Sequence, residues 1–124
     1  MILDAGVLIS VDRSEQSART FITVAARNDV DLHTTETVVA QVWRDGSRPA
    51  RLASFLRAVR IHPLDDGRSV GRLLARSGSD DVIDAHLVLC AARTGHDILT
   101  SDAGDIQRLA EVFGSAAPTV HDWP

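Results

Sequence analysis

The sequence predicts an α/β fold, a parallel sheet of about four to five short strands with helices on both faces, and three features carry that expectation. Short apolar runs alternate with longer segments of helical periodicity, Gly, Pro, Asn and Asp punctuate the joins, and acidic residues stand at the ends of apolar runs. With 124 residues, 44% of them hydrophobic, the chain suits one compact domain over 1–124 with a core that needs no disulfide.

The elements follow in order. Met1 to Leu3 reads as a buried strand, and Gly6 to Ser10 as the turn into a first helical stretch. Ser14 offers an N-cap for a helix whose Ala18, Phe21, Ile22, Ala25 and Ala26 share one face, and Asn28-Asp29 ends it. Val30 to His33 is the next strand. Thr34 or Thr35 then caps a helix through Val38, Val39, Val42 and Trp43, with Trp43 packed on the apolar face. Asp45-Gly46-Ser47-Arg48 breaks that helix and Pro49 opens another, whose Leu52, Phe55, Leu56 and Val59 form a stripe that leaves Arg51 and Arg57 outside.

Ile61 to Leu64 is a third strand. Asp65-Asp66 caps a helix carrying Val70, Leu73 and Leu74, which Ser77-Gly78-Ser79 closes. Asp80 or Asp81 starts a strongly apolar helix to Thr94, and Gly95 stops it. Ile98 to Thr100 is the fourth strand, Asp105 to Phe113 a short helix, and Thr119 to Trp123 the last strand.

Composition excludes several classes. No stretch approaches the roughly 20 apolar residues that span a bilayer, and no basic region precedes the apolar start, so a cytoplasmic protein without a membrane segment is expected. The single Cys90 lies in an apolar run and reads as a small buried residue. The net charge of -4 argues against a generic nucleic-acid binder, yet Arg44, Arg48, Arg51, Arg57 and Arg60 form a local basic segment. Every basic side chain is arginine, whose planar fork suits phosphate. His33, His62, His86, His96 and His121 are scattered without metal-ligand spacing and read as structural or surface residues.

Three aspartates demand a chemical explanation. Asp4 closes Met1-Ile2-Leu3, Asp84 lies within Val82-Ile83-Asp84-Ala85, and Asp102 ends Asp97-Ile98-Leu99-Thr100-Ser101-Asp102. A carboxylate at the mouth of a core needs a proton, a basic partner or a cation. In an open α/β sheet, residues just past strand ends gather at one crevice, and oxygen donors without a His or Cys cluster favour Mg²⁺ or Mn²⁺.

These residues also carry a family resemblance. Ile2-Leu3-Asp4-Ala5-Gly6-Val7-Leu8-Ile9, Asp84-Ala85 opening an apolar helix, and Leu99-Thr100-Ser101-Asp102-Ala103-Gly104-Asp105 resemble the three acidic motifs of PIN-domain proteins, over essentially the whole chain. Length and the lack of an appended domain most resemble the VapC-type toxins of toxin-antitoxin pairs. The resemblance implies a three-layer α/β/α sandwich and a metal-dependent endoribonuclease that cleaves RNA, with Asp4, Asp84 and Asp102 as catalytic metal ligands for Mg²⁺ or Mn²⁺. It also implies a VapB-type antitoxin partner and a homodimer.

Two departures qualify the pattern. Where the family usually has a glutamate, this chain has Gln41 within Ala40-Gln41-Val42-Trp43-Arg44, which keeps a carbonyl oxygen and loses the charge. Glu36 projects elsewhere, whereas Asp81, three residues before Asp84, either restores the charge or caps the helix. Asp105 is a fourth acid, a supporting partner or a cap. Ala5-Gly6 stands where a hydroxyl residue and Asn or Ser are common, leaving Thr100 and Ser101 to supply hydroxyls, or Thr100 merely to satisfy backbone at the strand end. Arg44, Arg48 and Arg51 are candidates to guide RNA. The competing expectation is a catalytically weakened PIN-like module that binds RNA or a protein partner.

Overall fold

The computed structural model describes residues 1–44 and 49–124. Five short strands, β1 (Ile2–Leu3), β2 (His33–Thr35), β3 (Arg60–His62), β4 (Ile98–Thr100) and β5 (Val120–Asp122), form one sheet in the order β3-β2-β1-β4-β5. Every pairing is parallel, with Ile2 opposite both His33 and Ile98. Parallel strands need crossovers, and helices supply them: α1 (Ala5–Asp12) and α2 (Gln16–Arg27), then α3 (Glu36–Trp43) and α4 (Pro49–Leu56), then α5 (Gly67–Ser77) and α6 (Val82–Thr94), and finally α7 (Ala103–Ala110) with a 3-10 turn over Glu111–Ala116.

Two helical groups flank the sheet. α1 packs against α2, α3 and α4, whereas α5, α6 and α7 pack against one another, and α3 reaches across to α6. Between them Ile2, Leu3, Leu8, Leu87, Val88 and Ile98 are fully buried. Burial on both sides explains why the central strands β1 and β4 read as apolar runs without alternation, whereas the edge strands β3 and β5 are polar and partly exposed.

Helix boundaries follow local chemistry. Asp66 accepts from the Ser69 amide at 3.1 Å to cap α5, and Thr35 accepts from the Val38 amide at 3.2 Å to cap α3. Gly78 and Gly95 end α5 and α6 at φ 74° and 70°, left-handed backbone that glycine adopts without strain.

Several expectations are corrected. Ser14 does not cap α2: it occupies left-handed backbone at φ 53°, and Glu15 holds the cap position without a side-chain bond. The expected turn at Gly6 to Ser10 is part of α1, because Asp4 nucleates helix at Ala5. Strand β2 begins at His33, where Val30 to His33 was expected, and β3 begins at Arg60 where Ile61 was expected. The short β1 sets the register, so the residues opposite Ile2 become strand whatever their own hydropathy. α4 stops at Leu56, although Val59 beyond it is buried. Trp43 is 42% exposed, because it lies on the last turn of α3 beyond the packed Val38 and Val42. The expected break at Asp45-Gly46-Ser47-Arg48 lies outside the described residues.

Candidate functional site

The strand order places a topological switch between β1 and β4: from β1 the chain proceeds outward to β2 and β3, then returns to β4 on the other side. Crossovers leaving such a pair in opposite directions open a crevice past the carboxyl ends of the strands. Asp4 follows β1 and Asp102 lies two residues past β4, so both stand at that opening.

Asp4 is buried and doubly held. Its Oδ1 accepts from the Ala5 amide at 2.7 Å, which makes it the N-cap of α1, and its Oδ2 accepts from Thr100 Oγ1 at 2.7 Å. The fully buried Thr100 hydroxyl also accepts from the Asp102 amide at 3.0 Å. One side chain thus ties both sides of the crevice together, a stronger role than satisfying backbone at the strand end.

Asp84 enters from α6. It is 9% exposed, and burial first, then the facing charges of Asp4, Asp81, Asp102 and Asp105, push its carboxyl up to about 7. Asp102 is also raised, by burial and then by Asp105 and Asp4. Asp81 takes the capping role, accepting from the Asp84 amide at 3.0 Å, and its charge also reaches Asp84. Asp105 lies exposed in the first turn of α7.

Four further aspartates therefore act on Asp84 in one crevice, the electrostatic condition a divalent cation relieves. All their donors are oxygens, the set that suits Mg²⁺ or Mn²⁺. Among the described residues no three Asp, Glu, His or Cys side chains already form a metal cage, so the carboxylates would have to draw inward around an ion.

The remaining candidates among the described residues stand on α3, at its C-terminal cap and on α4. Gln41 is exposed on the last turn of α3. Arg44 is exposed at the C-terminal cap of that helix. Arg51 donates to the Asp12 carbonyl at 2.8 Å, at the far end of α1 and about 12 Å along the helix from Asp4. Arg48 lies outside the described residues.

Two arrangements escaped the sequence reading. A Cβ placed on Gly6 would collide with Ser101 Oγ, so the serine hydroxyl occupies the space that a side chain at position 6 would take. The other is a histidine stack. His33 Nδ1 and His62 Nε2 are 2.9 Å apart, and the His33 and His96 ring centroids are 4.1 Å apart. Burial first, then the charges of His96 and His62, bring the His33 imidazole down to about 4. The β2–β3 pairing and the loop that leads into β4 bring these separated histidines together. His86 is buried between Thr37 Oγ1 and the Pro63 carbonyl, and His121 pairs with Asp97, both structural as expected.

Fold and crevice together define a PIN-like α/β/α protein with an acidic centre at its switch point. The structure is similar to a chain of VapBC2 from Rickettsia felis, seen in a crystal structure bound to a DNA fragment from their promoter, with a TM-score of 0.76 and 14% sequence identity over 99% of this chain and 98% of that one. At that identity the likeness is one of fold. No protein-family model matches the sequence. No curated protein matches it either. No helix among the described residues is long and apolar enough to cross a membrane.

Proposed function

We propose that this protein is a metal-dependent endoribonuclease and the toxin of a VapBC-type toxin-antitoxin pair. One observation carries the reading: Asp4 and Asp102 flank the switch point, linked through Thr100, while Asp84 faces them with its carboxyl raised to about 7.

In this reading Asp4, Asp84 and Asp102 hold Mg²⁺ or Mn²⁺, with Asp105 and Asp81 adding negative charge at the rim. When bound, such an ion supplies an activated water and offsets the charge that builds on the scissile phosphate. The chain's own groups prepare for that. Thr100 donates to Oδ2 of Asp4 and so fixes the plane of its carboxylate. Asp84, protonated for part of the time near neutrality, gives up its proton when the crevice is neutralised. Ser101, seated against Gly6, places a hydroxyl at the crevice mouth. An antitoxin partner is supported by the fold neighbour, which belongs to a VapBC complex. A homodimer and a cytoplasmic location are part of the same proposal.

A weakened module that binds RNA or a protein is the second reading, favoured by Gln41 in place of an acid and by the absence of a ready-made cage among the described residues. One comparison separates them. Purified protein is incubated with structured and unstructured RNA in Mn²⁺, in Mg²⁺ and in chelator, beside Asp4→Asn. Metal-dependent cleavage lost in the variant is expected, and cleavage indifferent to chelator and substitution would sink the mechanism.

A further inference from the structure

Outside the crevice, one side of α5 carries a run of like charge. Its sequence, Gly-Arg-Ser-Val-Gly-Arg-Leu-Leu-Ala-Arg-Ser, contains no acid, and Arg68, Arg72 and Arg76 recur every fourth residue. That spacing sets them along one stripe, about 6 Å apart in rise and about 12 Å from first to last. All three are exposed, and none pairs with a carboxylate among the described residues. Arg93 nearby, by contrast, is neutralised by Asp66 at 2.7 Å.

The direction of the stripe follows from the connection. Residues 78–81 alone join α5 to α6, and the Arg93–Asp66 pair ties the start of α5 to the end of α6, so the two helices run antiparallel. Arg76 therefore lies toward the end of α6 that carries Asp84, and Arg72 and Arg68 lead away from the crevice. Beside the stripe a recess of about 160 Å³ is lined by Arg72, Arg76, Leu89 and Phe113. An aromatic side chain that shares a recess with guanidinium groups offers a nucleobase a stacking surface, with phosphates held alongside.

We infer that Arg68, Arg72 and Arg76, with the Phe113 recess, form a track that holds single-stranded RNA leading to or from the acidic crevice. The track rests on the nuclease reading for its purpose, but its binding can be measured without cleavage. Unpaired guanidinium groups at this spacing match a polyphosphate backbone, and the recess gives a base a place that an acidic peptide would not use.

The test is fluorescence anisotropy with a labelled single-stranded RNA of about 10 nucleotides in chelator, across a range of salt concentrations. Replacing Arg68, Arg72 and Arg76 together by alanine is expected to weaken binding about 10- to 100-fold at low salt. It should also reduce the slope of log affinity against log salt by about 2, at roughly 0.7 per lost phosphate contact. Phe113→Leu, which keeps the packing, should weaken binding and leave the slope unchanged. Unchanged affinity and slope in the triple variant would overturn the track. So would polyglutamate that binds as tightly and loses as much on substitution, which would assign the stripe to an acidic protein segment. If wild-type protein binds RNA through these arginines yet never cleaves it, the track stands and the nuclease reading falls.

Discussion

Thr100 Oγ1 stands 2.7 Å from Asp4 Oδ2 and 3.0 Å from the Asp102 amide, so a single hydroxyl donates to one side of the crevice and accepts from the other. Thr100→Val keeps the shape and removes both bonds, leaving a buried carboxylate oxygen and an amide unpaired. Stability should fall by about 1–3 kcal/mol. Mn²⁺ affinity and cleavage should each fall about 10- to 100-fold. Thr100→Ser should restore most of both, as read by thermal melts and metal titration calorimetry.

Asp84 carries the opposite lesson, since its position costs stability. Its carboxyl is raised from 3.8 to about 7 in the fold, so the folded chain binds its proton more tightly than the unfolded chain does. That contribution is fully present below about pH 4 and is lost as pH rises through 7. In chelator at pH 8, Asp84→Asn should therefore be more stable than wild type, by about 1–3 kcal/mol, while losing cleavage. Melts at pH 4 and pH 8 check this: the gain should appear only at the higher pH.

His33 reverses the sign. Its imidazole is lowered from 6.5 to about 4, so the unfolded chain takes up the proton first as pH falls. Stability contributed by the neutral ring is fully present above 6.5 and is lost as pH drops toward 4. The three-histidine stack should thus show an acid-induced loss of about 1–3 kcal/mol across that window. His33→Phe should flatten it, and equal wild-type denaturant midpoints at pH 4.5 and 7 would show the stack to be indifferent to protons.

Gln41 offers a gain rather than a loss. Gln41→Glu adds a carboxylate to the end of α3, the helix that bridges α1 and α6. Tighter Mn²⁺ binding and about tenfold faster cleavage are expected if the native centre is short of charge. No change in either would show that Asp81 and Asp105 already make up the deficit.

Trp123 anchors the last strand. Its indole Nε1 donates to Ser10 Oγ at 3.0 Å, and its ring meets Phe21 edge-on at 5.6 Å between centroids. Trp123→Ala should cost about 3–5 kcal/mol, read by chemical denaturation, because the cavity opens against α1 and α2 together.

Much of this fold was legible in the sequence where the determinants are local. β4 and the end of α6 fall where Ile98 to Thr100 and Gly95 indicated, because an apolar run and a left-handed glycine are properties of a few neighbouring residues. β2 slipped because Val30 to His33 carries the apolar signal, while pairing with Ile2 selects His33 to Thr35. Asp4, Asp84 and Asp102 stood out as carboxylates in apolar runs. The support of Asp4 by Thr100 was less clear, since that bond spans 96 positions of the chain. The arginine stripe of α5 was not singled out in the sequence, where only Val70, Leu73 and Leu74 marked that helix, and its relation to Asp84 depends on the antiparallel packing of two helices.

The contact of Gly6 with Ser101 ties two distant positions into one unit of inheritance. A larger residue at position 6 is admissible only if residue 101 turns away or shrinks, and a smaller one at 101 leaves a gap that position 6 is then free to fill. Across related sequences the two sites should change as a pair, so that whichever one carries the polar group at the crevice mouth, the other stays small.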